Sequence, residues 1–145
     1  MHSKGNAQTM MSLATYTDVV KEVRDELFQR TKQALQQGIY RWNVIIDPGF
    51  GFAKKKEHSL ELLRSGGKAL SGLGFPMLYG TSRKGFIGEI TKKSQPAERV
   101  WGTAATCTVA IQQGADIIRV HDVEQIRDVV LMSDAIYRVP QSTEK

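Results

Sequence analysis

The sequence predicts an α/β fold built from βαβ units with parallel strands. Three observations carry that expectation. Segments of strand character alternate with segments of helix character along most of the 145 residues. The strand centres are separated by roughly 33 and 40 residues, the size of a βαβ unit. Each strand-like run is short, rich in β-branched residues and closed by a polar cluster, as in strands of a parallel sheet. Such units build either a doubly wound sheet or a (β/α) barrel, and short strands alone do not separate the two. A full barrel takes eight units and about 250 residues, so a chain of 145 residues falls well short of one.

The first helix is expected in "TDVVKEVRDELFQRTKQALQQG", where Val19, Val20, Val23, Leu27, Ala34 and Leu35 form one apolar stripe. Thr17 or Asp18 caps it and Gly38 stops it. "WNVIIDPGFGF" follows as a strand over Val44 to Asp47, broken by Pro48 and Gly49. A second helix runs from Ser59 through Leu60, Leu63 and Leu70, loosened by Gly66 and Gly67. "FPMLYGTSRKG" reads as a strand over Met77 to Gly80 and a loop. Pro96 opens a third helix, "AERVWGTAATCTVAIQQ", which Gly114 ends. Then comes a strand over Ile117 to Val120, and Asp122 caps a last helix with Val123, Ile126, Val129, Val130 and Ile136 inward. Residues 140–145 form a polar tail.

Composition, at 41% hydrophobic and 24% charged, is that of a globular protein. A net charge of +5 suits an anionic ligand. It suits nucleic acid too, but the basic residues are spread along the chain without a recognition signature, so no nucleic-acid partner is expected. No apolar run reaches membrane-spanning length and no apolar leader opens the chain, so we expect a soluble, cytoplasmic protein with no membrane partner. An upstream presequence would redirect it to the mitochondrial matrix. The single cysteine, Cys107, reads as a small core residue. No Cys/His set has metal-binding spacing, and "PGFGF" lacks the dinucleotide fingerprint. Lys54-Lys55-Lys56 reads as a solvated helix start, and His58 as a surface residue near a helix cap.

The chemistry is expected at the strand ends, where parallel α/β folds bind their ligands. The first strand ends in Asp47-Pro48-Gly49, the second in Gly80-Thr81-Ser82-Arg83-Lys84, the third in Arg119-Val120-His121-Asp122. Alone, Asp47 is a turn aspartate, Ser82-Arg83-Lys84 a solvated loop, and His121 a residue bonded to its own loop. Together at one sheet edge they make those separate readings much weaker. An acid, a lysine and an Arg/His pair suit a planar, hydrogen-bonding, anionic ligand, with arginine supplying a fork and a stacking plane.

The stretches "MHSKGNAQTM", "IIDPGFGFAK", "LYGTSRKGFIG", "ERVWGTAA" and "GADIIRVHDV", in this order and spacing, resemble the C-terminal half of the dihydropteroate synthase family of folate biosynthesis. The resemblance implies a partial (β/α)8 TIM barrel, roughly the last four βα units, over residues 1–139. It implies condensation of 6-hydroxymethyl-7,8-dihydropterin diphosphate with p-aminobenzoate, releasing pyrophosphate. By the same resemblance Asp47 bonds the pterin, Met1 and Gly80 line its slot, and Lys84 contacts it beside the aminobenzoate. Ser82 meets the aminobenzoate carboxylate, and Phe50 and Phe52 wall that pocket. Arg119 stacks on the pterin and holds the diphosphate with His121, which makes Lys84, Arg119 and His121 the catalytic set. Magnesium on the diphosphate is implied as cofactor, its protein ligand expected in an N-terminal half that this sequence lacks. Ala7 and Ala53 stand where the family often has proline and glycine. Two other readings stand beside this one. The first is a non-catalytic half-barrel that binds pterin or pairs with a full-length synthase, another half-barrel or a second copy. The second is a pterin-dependent methyltransferase barrel, disfavoured by the Ser-Arg-Lys and Arg-Val-His stretches.

Overall fold

The computed structural model of the chain describes residues 1–138, and the polar tail expected at 140–145 lies outside them. Helix α1 spans Val19–Gln36 and buries Val19, Val23, Leu27 and Thr31. Asp18 caps it by accepting the Lys21 N–H. Thr31 was absent from the expected stripe; its hydroxyl donates back to the carbonyls of Leu27 and Phe28, which lets a polar residue sit on a buried face. A 3₁₀ turn at Arg41–Asn43 leads to the first strand segment. Helix α2 covers Lys56–Ser71, β1 Leu78–Tyr79, α3 Gly85–Thr91, α4 Val100–Gln112, β2 Ile117–Ile118 and α5 Val123–Tyr137. A 3₁₀ turn at Pro96–Arg99 precedes α4.

The sheet is parallel, with Leu78 opposite Ile117 and Tyr79 opposite Ile118. The segment expected as a strand over Val44 to Asp47 joins through a single parallel bridge, Ile46 to Met77. All three strands are shorter than expected. Pro48 and Pro76 offer no N–H to a ladder, and the first segment meets only one backbone donor on its outer side, the His2 N–H to Asp47 O at 2.8 Å. The backbone bonds still tie the three together: Ile46 N–H to Pro76 O at 2.9 Å, Leu78 N–H to Ile46 O at 2.8 Å and Arg119 N–H to Tyr79 O at 3.0 Å.

Alternation along these segments separates two faces. Ile46, Met77 and Tyr79 point into the core against the helices, while Ile45, 49% exposed, and Ile117, 36% exposed, lie on the uncovered side. The core joins Val23 and Leu27 of α1, Leu62, Leu63 and Leu70 of α2, Phe50, Phe86 and Ala110. Cys107 is buried, as expected.

Three helix expectations need correction. Gly66 and Gly67 do not loosen α2; both are buried within it. A Cβ on Gly67 would stand 2.0 Å from the Gln113 carbonyl oxygen, so the glycine lets α2 touch the end of α4. Helix α3 was unforeseen because two glycines in seven residues hide its pattern; Phe86 and Ile87 anchor it. In α5 the inner stripe is narrower than expected. Ile126 and Ser133 are buried, seven residues apart, whereas Val123 and Ile136 are exposed. Helix α5 packs chiefly on α4, so one narrow line of contact suffices.

Lys54 also departs from its expected role. It is not part of a solvated helix start but 3% exposed. Its ammonium lies 2.8 Å from His2 Nδ1, 3.1 Å from Gly49 O and 3.0 Å from Phe52 O. His2 is fully buried, with Nε2 3.2 Å from Glu26 Oε2. Acceptance at Nδ1 puts the ring proton on Nε2, so at neutral pH this is a neutral imidazole facing a carboxylate. Burial, then the charges of Lys54 and Arg30, pull His2 down to about 3. Burial likewise pulls Lys54 down to about 7, against the opposing pull of Asp47 and Glu26.

The contact between α2 and α4 can be checked by adding one methyl group. Gly67→Ala should cost about 1–3 kcal/mol through overpacking. Gly66→Ala, whose Cβ would meet nothing nearer than 3.4 Å, should be neutral or stabilising by up to about 1 kcal/mol from helix propensity. Urea midpoints of the two variants check the contrast.

The buried His2–Lys54 pair makes stability depend on pH. Both groups favour their neutral forms when folded, so the unfolded chain binds more protons and stability rises with pH across their titration. His2 removes stability as pH falls from 6.5 to about 3, and Lys54 adds stability as pH rises from about 7 to 10.5. The wild-type urea midpoint should therefore climb between about pH 7 and about pH 10, and Lys54→Met should flatten the climb. Parallel profiles would assign the effect elsewhere.

Candidate active site

The parallel register brings the three strand ends to one edge. Continuing the Leu78–Ile117 pairing by two places sets Arg119 beside Gly80. The guanidinium lies across the sheet there: a Cβ on Gly80 would stand 2.8 Å from an Arg119 terminal nitrogen and 3.2 Å from Nε. Glycine at this position is what leaves the path open. The strand-end arginine is exposed rather than buried, which removes the cost of desolvating its charge.

Arg119, Gly80, Ser82, Arg83, Lys84, His121, Phe52 and Pro96 line a cavity of about 380 Å³, within the range of small-molecule sites, about 300–1,000 Å³. Lys84 lies with its ammonium 4.1 Å above the Phe52 ring. Partial burial lowers its affinity for a proton, and the nearby Arg119 charge lowers it further, while the Asp47 carboxylate opposes both. Acid, lysine and arginine thus sense one another across the site.

Ser82 and His121 form a second unit. Ser82 Oγ lies 2.9 Å from His121 Nδ1 and accepts the His121 backbone N–H at 3.2 Å. The two contacts fix the imidazole against the loop that carries Ser82, beside the two cations.

Three residues named from the sequence stand apart from the cavity lining. Phe50 does not line this cavity: it is 1% exposed, its ring 5.0 Å from Tyr79 in the core. The apolar side of its loop faces inward, and Phe52 alone faces the cavity. Asp47 is half-buried, with Oδ1 accepting the Gly49 N–H at 2.7 Å, as its turn reading expected. Met1 packs near Gly49, its carbonyl accepting from Arg30 at 3.1 Å.

The supporting residues were not read from the sequence. Arg83 has φ 59°, a left-handed conformation costly for a non-glycine residue. Its guanidinium makes a two-point pair with the Asp122 carboxylate, and that hydrogen bonding holds Asp122 below its usual range. Asp122 therefore does not cap α5 with its side chain, as expected, but joins the second strand end to the third. Thr103 Oγ1 accepts the Arg83 N–H at 3.1 Å, and Arg99 donates to the Arg83 carbonyl at 2.8 Å. The available signal was opposite charge flanking both candidate clusters. Among the described residues, no three His, Cys, Asp or Glu side chains gather as metal ligands.

The chain is similar to known proteins over most of its length. A family model described as pterin binding enzyme matches residues 1–121. Dihydropteroate synthase of Synechocystis sp. is 47% identical over 138 residues, covering 95% of this chain and 47% of that protein. Two dihydropteroate synthase structures from Thermus thermophilus are each 41% identical and cover 94% of this chain. The complex with 4-aminobenzoate has a TM-score of 0.88 and is 52% covered. The complex with 6HMPPP has a TM-score of 0.87 and is 54% covered. The chain thus spans about half the length of these relatives.

Gly80→Ala should change stability little, because its new methyl meets the far end of a flexible side chain, but it should displace the Arg119 guanidinium. Nitrogen NMR of the arginine Nε–H groups reads the displacement, and an unmoved Arg119 signal would show that the glycine does not set its path.

Proposed function

The chain belongs to the pterin-binding enzyme family, and from that premise we propose that its strand-end cavity is the substrate site of a dihydropteroate synthase, within a partial (β/α) barrel. The observation that carries the reading is the Arg119 guanidinium laid across Gly80 beside Lys84, Phe52 and the His121–Ser82 unit. A flat cation, a point charge, an imidazole and an aromatic wall suit a flat ring with an anionic tail.

In the proposed reaction the amine of p-aminobenzoate attacks the methylene of 6-hydroxymethyl-7,8-dihydropterin diphosphate. A C–N bond forms as the C–O bond to the diphosphate breaks, the bonding pair leaves with pyrophosphate, and the amine's proton goes to solvent. Negative charge grows on the leaving oxygen, so catalysis rests on positioning and charge stabilisation. Arg119 and His121 take the diphosphate, with Arg119 also stacking on the ring. Lys84 and the Asp47 carboxylate face the pterin, with Gly80 and Met1 at its edge. Phe52 walls the aminobenzoate. Ser82, bonded to His121, serves to orient that imidazole as well as to meet the aminobenzoate carboxylate. Among the described residues no three His, Cys, Asp or Glu side chains gather to hold a magnesium ion; an ion carried by the diphosphate would add to the charge stabilisation that Arg119 and His121 supply.

The uncovered sheet face around Ile45 and Ile117 favours a second reading, in which this chain binds pterin but needs a complementary half or a second copy for turnover. Comparing product formation by the chain alone with its binding of pterin diphosphate separates the two.

Arg119→Lys keeps the charge but loses the plane and the fork. It should weaken pterin diphosphate binding at least tenfold, about 1.4 kcal/mol, whereas Arg127→Lys on the exposed side of α5 should leave it unchanged. Titration by pterin fluorescence, with unfolding midpoints as a control, makes the comparison. Equal affinities would remove Arg119 from the site.

A further inference from the structure

Lys54 lies outside the cavity, yet its contacts converge on the loop that feeds it. The segment from Asp47 to Ala53 carries both the Asp47 carboxylate and the Phe52 wall. It is strained: Gly49, Gly51 and Ala53 have φ of 69°, 73° and 48°, and Ala53 has no glycine freedom to make that conformation cheap. Few bonds within the loop hold it, chiefly Gly49 N–H to Asp47 Oδ1 and Phe52 N–H to Gly49 O. Phe52 O, and Gly49 O alongside the Phe52 N–H, accept from Lys54 Nζ, while the Tyr16 hydroxyl donates to Ala53 O at 2.9 Å. The third partner, His2, donates its own backbone N–H to Asp47 O at 2.8 Å, so the same ammonium binds both strands of the knot.

We propose that Lys54 is a positioning residue for the site. Through the Gly49 and Phe52 carbonyls and His2 it holds the Asp47–Ala53 loop so that Phe52 lies beneath Lys84 and the Asp47 carboxylate faces the ligand. The inference rests on the pterin-site reading. A buried amine suits the task because it supplies donors to two carbonyls with no competing water, and unpaired buried carbonyls carry a penalty. Asp47 and Glu26 face it with negative charge, Lys4 and Arg30 with positive charge.

The test is a double-mutant cycle in ligand binding, using the full chain and pterin diphosphate. Lys54→Met should weaken binding roughly tenfold, on the scale of losing one hydrogen bond to a charged group. Asp47→Asn should weaken the wild type by a similar factor, but have under roughly threefold effect in the Lys54→Met background, because coupled residues are not additive. Lys54→Arg, which restores charge and donors, should recover part of the loss. A general loss of stability would instead lower the unfolding midpoint and leave the two effects additive. If Lys54→Met shows no cooperative unfolding transition, His2→Ala replaces it, removing one acceptor and the Lys54 anchor on the first strand segment, with a smaller but still non-additive loss expected. Additive effects, or unchanged affinity in the variant, overturn the positioning role. Failure of wild type to bind pterin diphosphate overturns the site reading and this inference with it, whereas wild-type binding with an indifferent Lys54 overturns this inference alone.

Discussion

The backbone ladder joining Ile46 to Met77 and Leu78 to Ile117 determines where the rest of the site stands. Parallel pairing gives all three segments one direction, so their carboxyl ends emerge at the same edge. The register then decides which side chains become neighbours. It sets Arg119 in the row of Gly80, just past β1, where the missing side chain leaves the guanidinium room to cross the sheet. A slip of one residue in the segment that carries Arg119 would turn it toward the helix-covered face. So few backbone bonds suffice because Tyr79, Met77 and Ile46 are locked beneath them in the core.

Around that ladder the molecule uses two polar ties of different kinds. The Arg83–Asp122 pair is partly exposed and joins loops already brought close by the strands. Its value lies in geometry: it fixes the turn that presents Ser82 and Lys84. The Lys54 knot is buried, and there the desolvation cost is met by three directed acceptors. The first tie can be lost with modest consequences for folding, since partly exposed ion pairs contribute little. Losing the second is costlier, because the Phe52 carbonyl and His2 Nδ1 would lose the partner that Lys54 gives them in a dry interior.

The cavity's charge explains why the surrounding loops are so constrained. Partial burial, and then the neighbouring Arg119 charge, lower the proton affinity of Lys84. Holding two cations on one wall without a carboxylate between them is unfavourable unless an anion arrives, and the family's substrates, as proposed for this site, provide one. Phe52 beneath Lys84 and Asp47 beside it offset part of that repulsion while leaving the cationic heads available.

Much of this was legible in the residues themselves. The alternation of apolar stripes and β-branched runs pointed to the α/β class, the Asp18 cap and the order of the long helices. The polar clusters at the strand ends pointed to Asp47, Ser82, Lys84, Arg119 and His121, because a packed core has no use for such residues at such places. Tertiary structure alone decided what lies between distant segments. Nothing local distinguishes Lys54 from Lys55 and Lys56; only the arrival of His2, fifty-two residues earlier in the chain, makes one of the three a buried knot. Phe50 and Phe52 are alike in sequence, and the left-handed residues at 49, 51 and 53 send the first into the core and the second to the cavity. Gly67 and Gly80 are likewise silent alone, for a glycine's missing methyl has meaning only when Gln113 or Arg119 fills the space. Periodicity and side-chain chemistry are properties of neighbours along the chain, whereas burial, register and close approach are set by whichever segments the fold presses together.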